Sequence, residues 1–238
     1  AHTALAYGLM MRDLDFRRAE ESFARAIELD PEYATSHQWF AELLSAMDRH
    51  EEAVREARRA EAIDPTRIIR WNVGRVLYFA GRYEEAIAQL EPLVAEPGVH
   101  ANAAVVFQLR SYRMLGDYER LLAWFERMSE ETPARMRPPP GFLEAARSAL
   151  EAGEMPRFFT EIWGRLDSDA PPTVAVPFAA RNWIAVDPDS SLALLERIAE
   201  QPDEAASRVA WFEVLVDPAF DVLRDDPRYE EMNARFGF

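Results

Sequence analysis

Apolar residues recur every three or four positions in segments of about a dozen residues, which is the spacing of one buried face of an α-helix. Two of these segments end at the pairs Asp30-Pro31 and Asp64-Pro65, which lie 34 residues apart. Proline cannot continue a helix, and it disfavours helical dihedral angles in the residue before it. Each Asp-Pro pair is therefore predicted to end one helix and to precede the next.

A second set of breaks falls between these boundaries. Gly81, Gly116 and Gly153 each follow an apolar-periodic segment, at spacings of 35 and 37 residues. Glycine readily ends a helix in the left-handed conformation, and the polar residue that follows can begin another helix. The sequence thus predicts a unit of two antiparallel helices that repeats about every 34 residues.

Small and bulky residues occupy regular places in this predicted unit. They are Val73, Gly74 and Leu77 in a first helix, Ala19, Phe23 and Ala26 in a second helix, and the prolines Pro31, Pro65 and Pro133 at the ends of units. The set resembles the tetratricopeptide repeat family. The resemblance implies an all-α fold, namely a right-handed superhelical solenoid of about five or six helix pairs, closed by a C-terminal capping segment.

The repeats differ in how well they keep this pattern, and we divide the chain accordingly. Residues 1–133 contain four well-formed repeats, residues 134–201 contain two degenerate ones, and residues 202–238 are the capping helices. The first repeat has one extra residue in its inner turn, Asp13–Phe16. The proline-rich stretch Thr132–Gly141 is interpreted as an extended loop between repeats, with a hinge or a ligand for a proline-recognition module as the alternatives.

Three segments carry a narrower resemblance. Asp15–Glu20, Tyr33–Trp39 and Trp211–Tyr229 resemble the C-terminal tetratricopeptide regions of bacterial signalling proteins. Those proteins include winged-helix transcriptional regulators of the CadC-like and TolB-like kinds, class III adenylate cyclases and Ser/Thr kinases. The resemblance implies a sensory or regulatory domain of a larger protein that carries its catalytic or DNA-binding part elsewhere. Because the chain starts at Ala1 without a methionine, we interpret it as a fragment or a mature form.

The chain is strongly acidic, with a formal net charge of −15, and its 27 basic residues are all arginine. Binding to nucleic acid or to anionic membranes needs clustered positive charge, so we expect neither. No run of about 20 apolar residues is present, so we expect no membrane insertion. The absence of cysteine excludes disulfides and thiolate ligands. We expect the protein in the cytoplasm, or in the periplasm if its parent is anchored in a membrane.

No set of residues in the sequence points to catalysis. The four histidines, His2, His37, His50 and His100, are not spaced as paired metal ligands on a helix. A glycine-rich phosphate loop and a nucleophile elbow are also absent from the sequence, and the many carboxylates fall on the solvent faces of amphipathic helices. We therefore expect a chain that is not an enzyme, with no metal and no cofactor, whose partners are proteins or peptides.

In tetratricopeptide arrays the first helices line a concave groove, and the residue after the small position faces that groove. Three successive repeats have arginine there, as Arg75, Arg110 and Arg147. The neighbours one helical turn away are mostly apolar: Trp71, Tyr78 and Phe79 in the third repeat, Val106, Arg113 and Met114 in the fourth, and Leu143 and Leu150 in the fifth. Arginine recognises carboxylates in bidentate fashion, so we expect the groove to bind a peptide or partner domain with an acidic group and apolar anchors.

The alternative is that these arginines pair with glutamates of neighbouring repeats, such as Glu42 or Glu151, and serve only the structure. The family's carboxylate clamp relies on lysine and asparagine, and it is not matched because the chain has no lysine. The end faces of the array also leave self-association into a homo-oligomer open.

Overall fold

The computed structural model describes residues 1–95, 99–131, 141–158 and 187–238. In these ranges the chain is all-α, and helices that follow one another pack together as a solenoid, as predicted. The proline-rich stretch at 132–140 and residues 159–186, which form much of the two degenerate repeats, lie outside the described residues.

Four helix pairs make up the array within the first 131 residues. The first helices are α1 (His2–Gly8), α3 (Ala34–Ala46), α5 (Arg67–Phe79) and α7 (Val99–Met114), and the second helices are α2 (Phe16–Leu29), α4 (His50–Ile63), α6 (Tyr83–Ala95) and α8 (Tyr118–Glu131). The next first helix is α9 (Phe142–Glu151), which packs against α8.

The Asp-Pro pairs end helices where the sequence predicts it. The helix α2 ends directly before Asp30, whose N–H donates to the carbonyl of Ala26 at 3.0 Å. The helix α4 ends in the same way before Asp64, whose N–H donates to the carbonyl of Ala60 at 2.9 Å. The proline that follows each aspartate has no N–H to extend the helix, so both boundaries fall at the same point of the repeat.

The inner turns of five successive repeats each contain one residue in the left-handed conformation. Three are the glycines expected from the sequence, Gly81, Gly116 and Gly153, with φ of 70°, 68° and 72°. In the first two repeats the same position belongs to Leu14 and Asp48, with φ of 52° and 56°. These two residues adopt a conformation that costs a non-glycine residue about 1–2 kcal/mol, so the surrounding repeat enforces the turn.

The first repeat accommodates its extra residue within a helix. In the second inner turn the N–H of Arg49 donates to the carbonyl of Leu44, five residues earlier, at 2.9 Å. In the first, the N–H of Asp15 donates to Leu9, six residues earlier, at 3.0 Å, and residues Leu9–Asp13 form a π-helical turn. The sequence predicts the extra residue in the inner turn itself. The structure places it one turn earlier, because a helix can widen by one residue while the turn keeps its geometry.

The small position of the third pair allows two helices to approach closely. A Cβ on Gly74 would lie 2.4 Å from Cδ2 of Leu90, which is fully buried on the second helix of the same pair. The first helices also contact one another in order, α1 with α3, α3 with α5 and α5 with α7. They therefore form one continuous layer along the array.

The chain ends in what we call the C-terminal unit, residues 187–238. It comprises α10 (Pro188–Ala199), α11 (Ala205–Val216), a 3₁₀ helix (Pro218–Leu223) and α12 (Pro227–Phe236). The ring of Trp211 on α11 stacks on Phe236 at a centroid distance of 4.8 Å, and its Nε1 donates to Oδ1 of Asn233 at 3.0 Å. Trp211, Phe236 and Tyr229 belong to the same buried apolar cluster as the first helices of the array, so the unit shares its core with them.

The described contacts of this unit with the array are made with its first helices. The sequence predicts residues 202–238 as capping helices, and α11 packs on the π-helical turn of the first repeat and on α3. The physical reason lies in α11. Its Trp211 is buried against Phe236 of α12, and the adjacent Phe212 is buried where it meets Phe16 of the array. A helix that is apolar on two sides needs a second surface to cover it, and the layer of first helices provides one.

Candidate functional site

The surface formed by the first helices α1, α3, α5, α7 and α9, called here the first-helix face, contains the site residues that the sequence singles out. The helix α11 lies on one part of this face and makes contacts from the first repeat to the fourth. The predicted site residues fall into two groups, those beneath α11 and those on α7 and α9 away from it.

Arg75 lies in the covered group and is nearly inaccessible, with 8% of its surface exposed. Its Nη2 atom lies 2.7 Å from Oε2 of Glu42 on α3, and its Nη1 atom lies 3.6 Å from Oε1 of Glu213 on α11. The guanidinium also sits between the rings of Trp71 and Phe79, at 5.3 and 5.4 Å from their centroids. Arg75 thus joins two neighbouring repeats and the C-terminal unit.

Glu42 is buried beside this arginine. Its Oε1 atom accepts a hydrogen bond of 2.7 Å from Nδ2 of Asn72. Burial raises the pKa of Glu42 and the charge of Glu213 adds to this effect, while Arg75 opposes it. Burial likewise raises the pKa of Tyr7, and the charge of Glu42 contributes to the rise. The cluster is therefore a charged group held in a poorly solvated part of the first-helix face.

Tyr78 and Arg110 meet a second carboxylate of the C-terminal unit. Tyr78 is completely buried, and its hydroxyl donates to Oδ1 of Asp217 at 2.9 Å. Nη1 of Arg110 lies 3.9 Å from Oδ2 of the same aspartate, and its guanidinium stands 4.7 Å from the ring centroid of Phe107. Burial raises the pKa of Tyr83 to about 12, with further contributions from the charges of Asp217 and of Asp221 on the 3₁₀ helix.

Contacts at the rim hold the C-terminal unit to the inner turns of the first two repeats. Nη1 of Arg208 donates to the backbone carbonyl of Asp13 at 3.2 Å, and the ring of Phe212 meets Phe16 edge-on at 6.2 Å. Nη1 of Arg224 donates to Oδ2 of Asp48, the left-handed residue of the second inner turn, at 2.8 Å.

The second group of predicted residues lies on α7 and α9. Val106 is 41% exposed. Arg147 is exposed and pairs with Glu126 of the preceding repeat, Nη2 to Oε1 at 2.7 Å. The remaining members are half-buried: Arg113, Met114, Leu143 and Leu150. The three aligned arginines therefore have three different surroundings, since Arg75 is buried, Arg110 is partly covered and Arg147 faces solvent.

The residues that bring α11 to the face were not among those predicted from sequence. Glu213 and Asp217 are four residues apart, and Trp211–Val216 around them is otherwise apolar. Two carboxylates at this spacing lie on one side of a helix. That is the signal by which sequence reasoning could have found them, because an acidic pair in an apolar helix needs a cationic partner. Glu42 of α3, by contrast, is named from the sequence as an alternative partner of the arginines, and it pairs with Arg75.

Among the described residues, no group of three or more histidine or carboxylate side chains is arranged to hold a metal ion. The part of the chain that the structure describes contains no helix of sufficient length and apolar character to cross a membrane.

The chain was compared with protein families, curated proteins and solved structures. No protein-family model matches the sequence, and no curated protein matches it either. Among solved structures, the chain is similar to PilW, described as a widely conserved type IV pilus biogenesis factor, with a TM-score of 0.53 and 21% sequence identity. The alignment covers 88% of this chain and 96% of PilW. This chain folds as a tetratricopeptide-like helical solenoid. At such low identity the similarity establishes the fold alone.

Proposed function

We propose that the chain is a non-catalytic scaffold that binds a peptide or a partner domain along the first-helix face. The observation that carries the proposal is the position of α11, because this face already holds a helix through aromatic contacts and through pairing of arginine and tyrosine with carboxylates. A surface that takes a helix from its own chain has the chemistry to take one from a partner.

The part of the face away from α11 supports an acidic partner with apolar anchors. Arg113 and Arg147 supply positive charge on a chain that is acidic as a whole. Val106 and Leu143 add accessible or half-buried apolar surface near them on the same helices. A partner that carries carboxylates beside apolar residues would meet both features at close range.

For the parent protein we propose a bacterial regulator, with this chain as its sensory or regulatory C-terminal region. The support is the resemblance of Trp211–Tyr229 to the corresponding regions of winged-helix regulators, adenylate cyclases and kinases. A scaffold for assembly in the cell envelope is the second candidate, favoured by the similarity in fold to PilW. The first candidate places the chain in the cytoplasm, or in the periplasm if the parent is anchored in a membrane, and the second places it in the periplasm. The coding sequence upstream decides between them, because a winged-helix, cyclase or kinase domain there supports the first candidate.

The binding proposal is tested with a labelled helical peptide that carries glutamates four residues apart among leucines, and with a control peptide in which lysines replace the glutamates. Fluorescence anisotropy measures the affinity for the wild type and for the variants Arg110→Ala and Arg147→Ala. Arg25→Ala on the second helix α2 is the matched control, since Arg25 is exposed and pairs with Glu28 of the same helix. We expect weaker binding in the first two variants alone. Unchanged affinity in both would refute the proposed site.

A further inference from the structure

The helix α11 presents a defined set of groups to the array. Phe212, Glu213 and Asp217 lie on one side of α11 and at its end, and they reach Phe16, Arg75 and Tyr78 respectively. The set is an aromatic residue followed by two carboxylates one helical turn apart. It matches the acidic and apolar chemistry for which the first-helix face is suited.

The charged contacts are tighter within the array than across to α11. Within the array, Arg75 lies 2.7 Å from Glu42, and Asn72 donates to Glu42 at 2.7 Å. Across the interface, Glu213 lies 3.6 Å from Arg75 and Asp217 lies 3.9 Å from Arg110, while Asp217 also accepts the 2.9 Å hydrogen bond of Tyr78. The buried arginine therefore keeps its best partner when α11 is absent.

Two polar atoms in this cluster are buried without a hydrogen-bond partner in the part of the chain that the structure describes. Nε of Arg75 and Oδ1 of Asn72 are buried and have no hydrogen-bond partner among the described residues. Burying a polar atom without a partner is unfavourable, and water can satisfy such an atom once the surface above it opens. The rim contact between Arg224 and Asp48 is solvent-exposed at both residues, so salt and water weaken it.

We propose that a partner binds the covered part of the first-helix face by offering a largely apolar helix with two carboxylates one turn apart, as in α11, and that α11 leaves the face to admit it. The inference rests on the proposed scaffold function and adds the chemical class of the ligand and the means of its regulation. The C-terminal unit is then a competing ligand within the chain. It lowers the apparent affinity for the partner in proportion to the fraction of molecules in which the face is free.

The test uses the full chain and a fluorescent synthetic peptide that spans residues 205–224. One variant locks the unit in place, with Asp48→Cys and Arg224→Cys joined by a short bismaleimide. These cysteines are the only thiols, because the chain has none of its own. The same double variant with both thiols capped by N-ethylmaleimide is the control. We expect the locked form to bind the peptide at least about tenfold more weakly than the capped form.

A second variant loosens the unit without adding a cross-link. Glu213→Gln in the protein removes the charge that faces Arg75, and the peptide keeps its glutamate. We expect this variant to bind the peptide about threefold or more tightly than the wild type does, because the free face is more populated. Glu230→Gln changes an exposed carboxylate on α12 of the same unit and should leave the affinity unchanged. A peptide with lysines in place of Glu213 and Asp217 should not bind either protein.

Equal binding by the locked and capped forms would overturn the competition. The scaffold function would survive that result if Arg147→Ala still weakened binding of the leucine–glutamate peptide described above. If the 205–224 peptide binds neither the capped form nor the Glu213→Gln variant, the class of ligand proposed for the covered part of the face is wrong. Failure of both peptides with every variant would overturn the scaffold function itself.

Discussion

The covered and exposed parts of the first-helix face place the same residue type in opposite roles. In the third repeat Arg75 is buried, pairs with Glu42 at 2.7 Å and lies between two aromatic rings. In the fifth repeat the aligned Arg147 pairs with Glu126 at the same distance but in solvent. The position in the repeat places each arginine at the same point of its first helix. The surface that packs against the arginine then decides whether it stabilises the fold or stays accessible to a ligand.

The largest effect on stability should come from removing Glu42, the partner of the buried arginine, and removing Glu126 gives the comparison. Glu42→Ala leaves a buried guanidinium that cannot deprotonate, with Glu213 at 3.6 Å as a weaker partner, so we expect a loss of about 3–5 kcal/mol in the free energy of unfolding. Glu126→Ala should cost less than about 1 kcal/mol, because its pair is solvated. Urea denaturation followed by circular dichroism measures both. Losses of equal size would contradict the distinction between the two parts.

A smaller effect is expected from the hydrogen bond between Tyr78 and Asp217. Tyr78→Phe removes a buried donor from a carboxylate and should destabilise the fold by about 1–3 kcal/mol. Tyr33→Phe, at an exposed tyrosine, should change stability by less than about 0.5 kcal/mol. A double-mutant cycle with Asp217→Asn measures the coupling across the interface. Additive losses would mean that the bond does not hold the C-terminal unit to the array.

Alkaline pH should lower the free energy of unfolding through ionisation of Tyr83, which lies close to Asp217 of the C-terminal unit. Because the pKa of Tyr83 is raised to about 12 in the folded chain from 10.0, its contribution to stability is complete below pH 10 and is lost as the pH rises through about 12. Tyr83→Phe should therefore flatten the fall in unfolding free energy over this range. Urea denaturation at a series of pH values gives the comparison, with tyrosinate absorbance as the check on ionisation. Parallel profiles for the two proteins would exclude Tyr83 as the cause.

The smallest effect on stability is expected at Val106. Val106→Ser changes an exposed side chain, so the free energy of unfolding should move by less than about 0.5 kcal/mol. Binding of the leucine–glutamate peptide should nevertheless weaken, since the substitution removes an apolar anchor. Anisotropy and urea denaturation on the same preparation separate the two quantities. A loss of stability without a loss of affinity would place Val106 in the fold rather than in the binding surface.

Local signals in the sequence predicted the helix ends and most inner turns, because proline and glycine act on their own backbone. Leu14 and Asp48 gave no such signal, since their left-handed conformation comes from the repeat around them. The docking of the C-terminal unit also escaped prediction. Tyr78 and Asp217 are 139 residues apart, and no periodic pattern records which distant surface will cover an apolar helix. The surroundings of Arg75 and Arg110 depend on that docking, because both arginines meet carboxylates of the C-terminal unit.

The π-helical turn at Leu9–Asp13 gives the first repeat a contact with the C-terminal unit. Its last residue, Asp13, offers a backbone carbonyl at the end of a helix, where no intrahelical donor remains. Arg208 of α11 donates to that carbonyl at 3.2 Å. A single inserted residue thus places an acceptor for a side chain 195 residues further along the chain. Deleting that residue would restore the regular repeat and move the carbonyl away from Arg208.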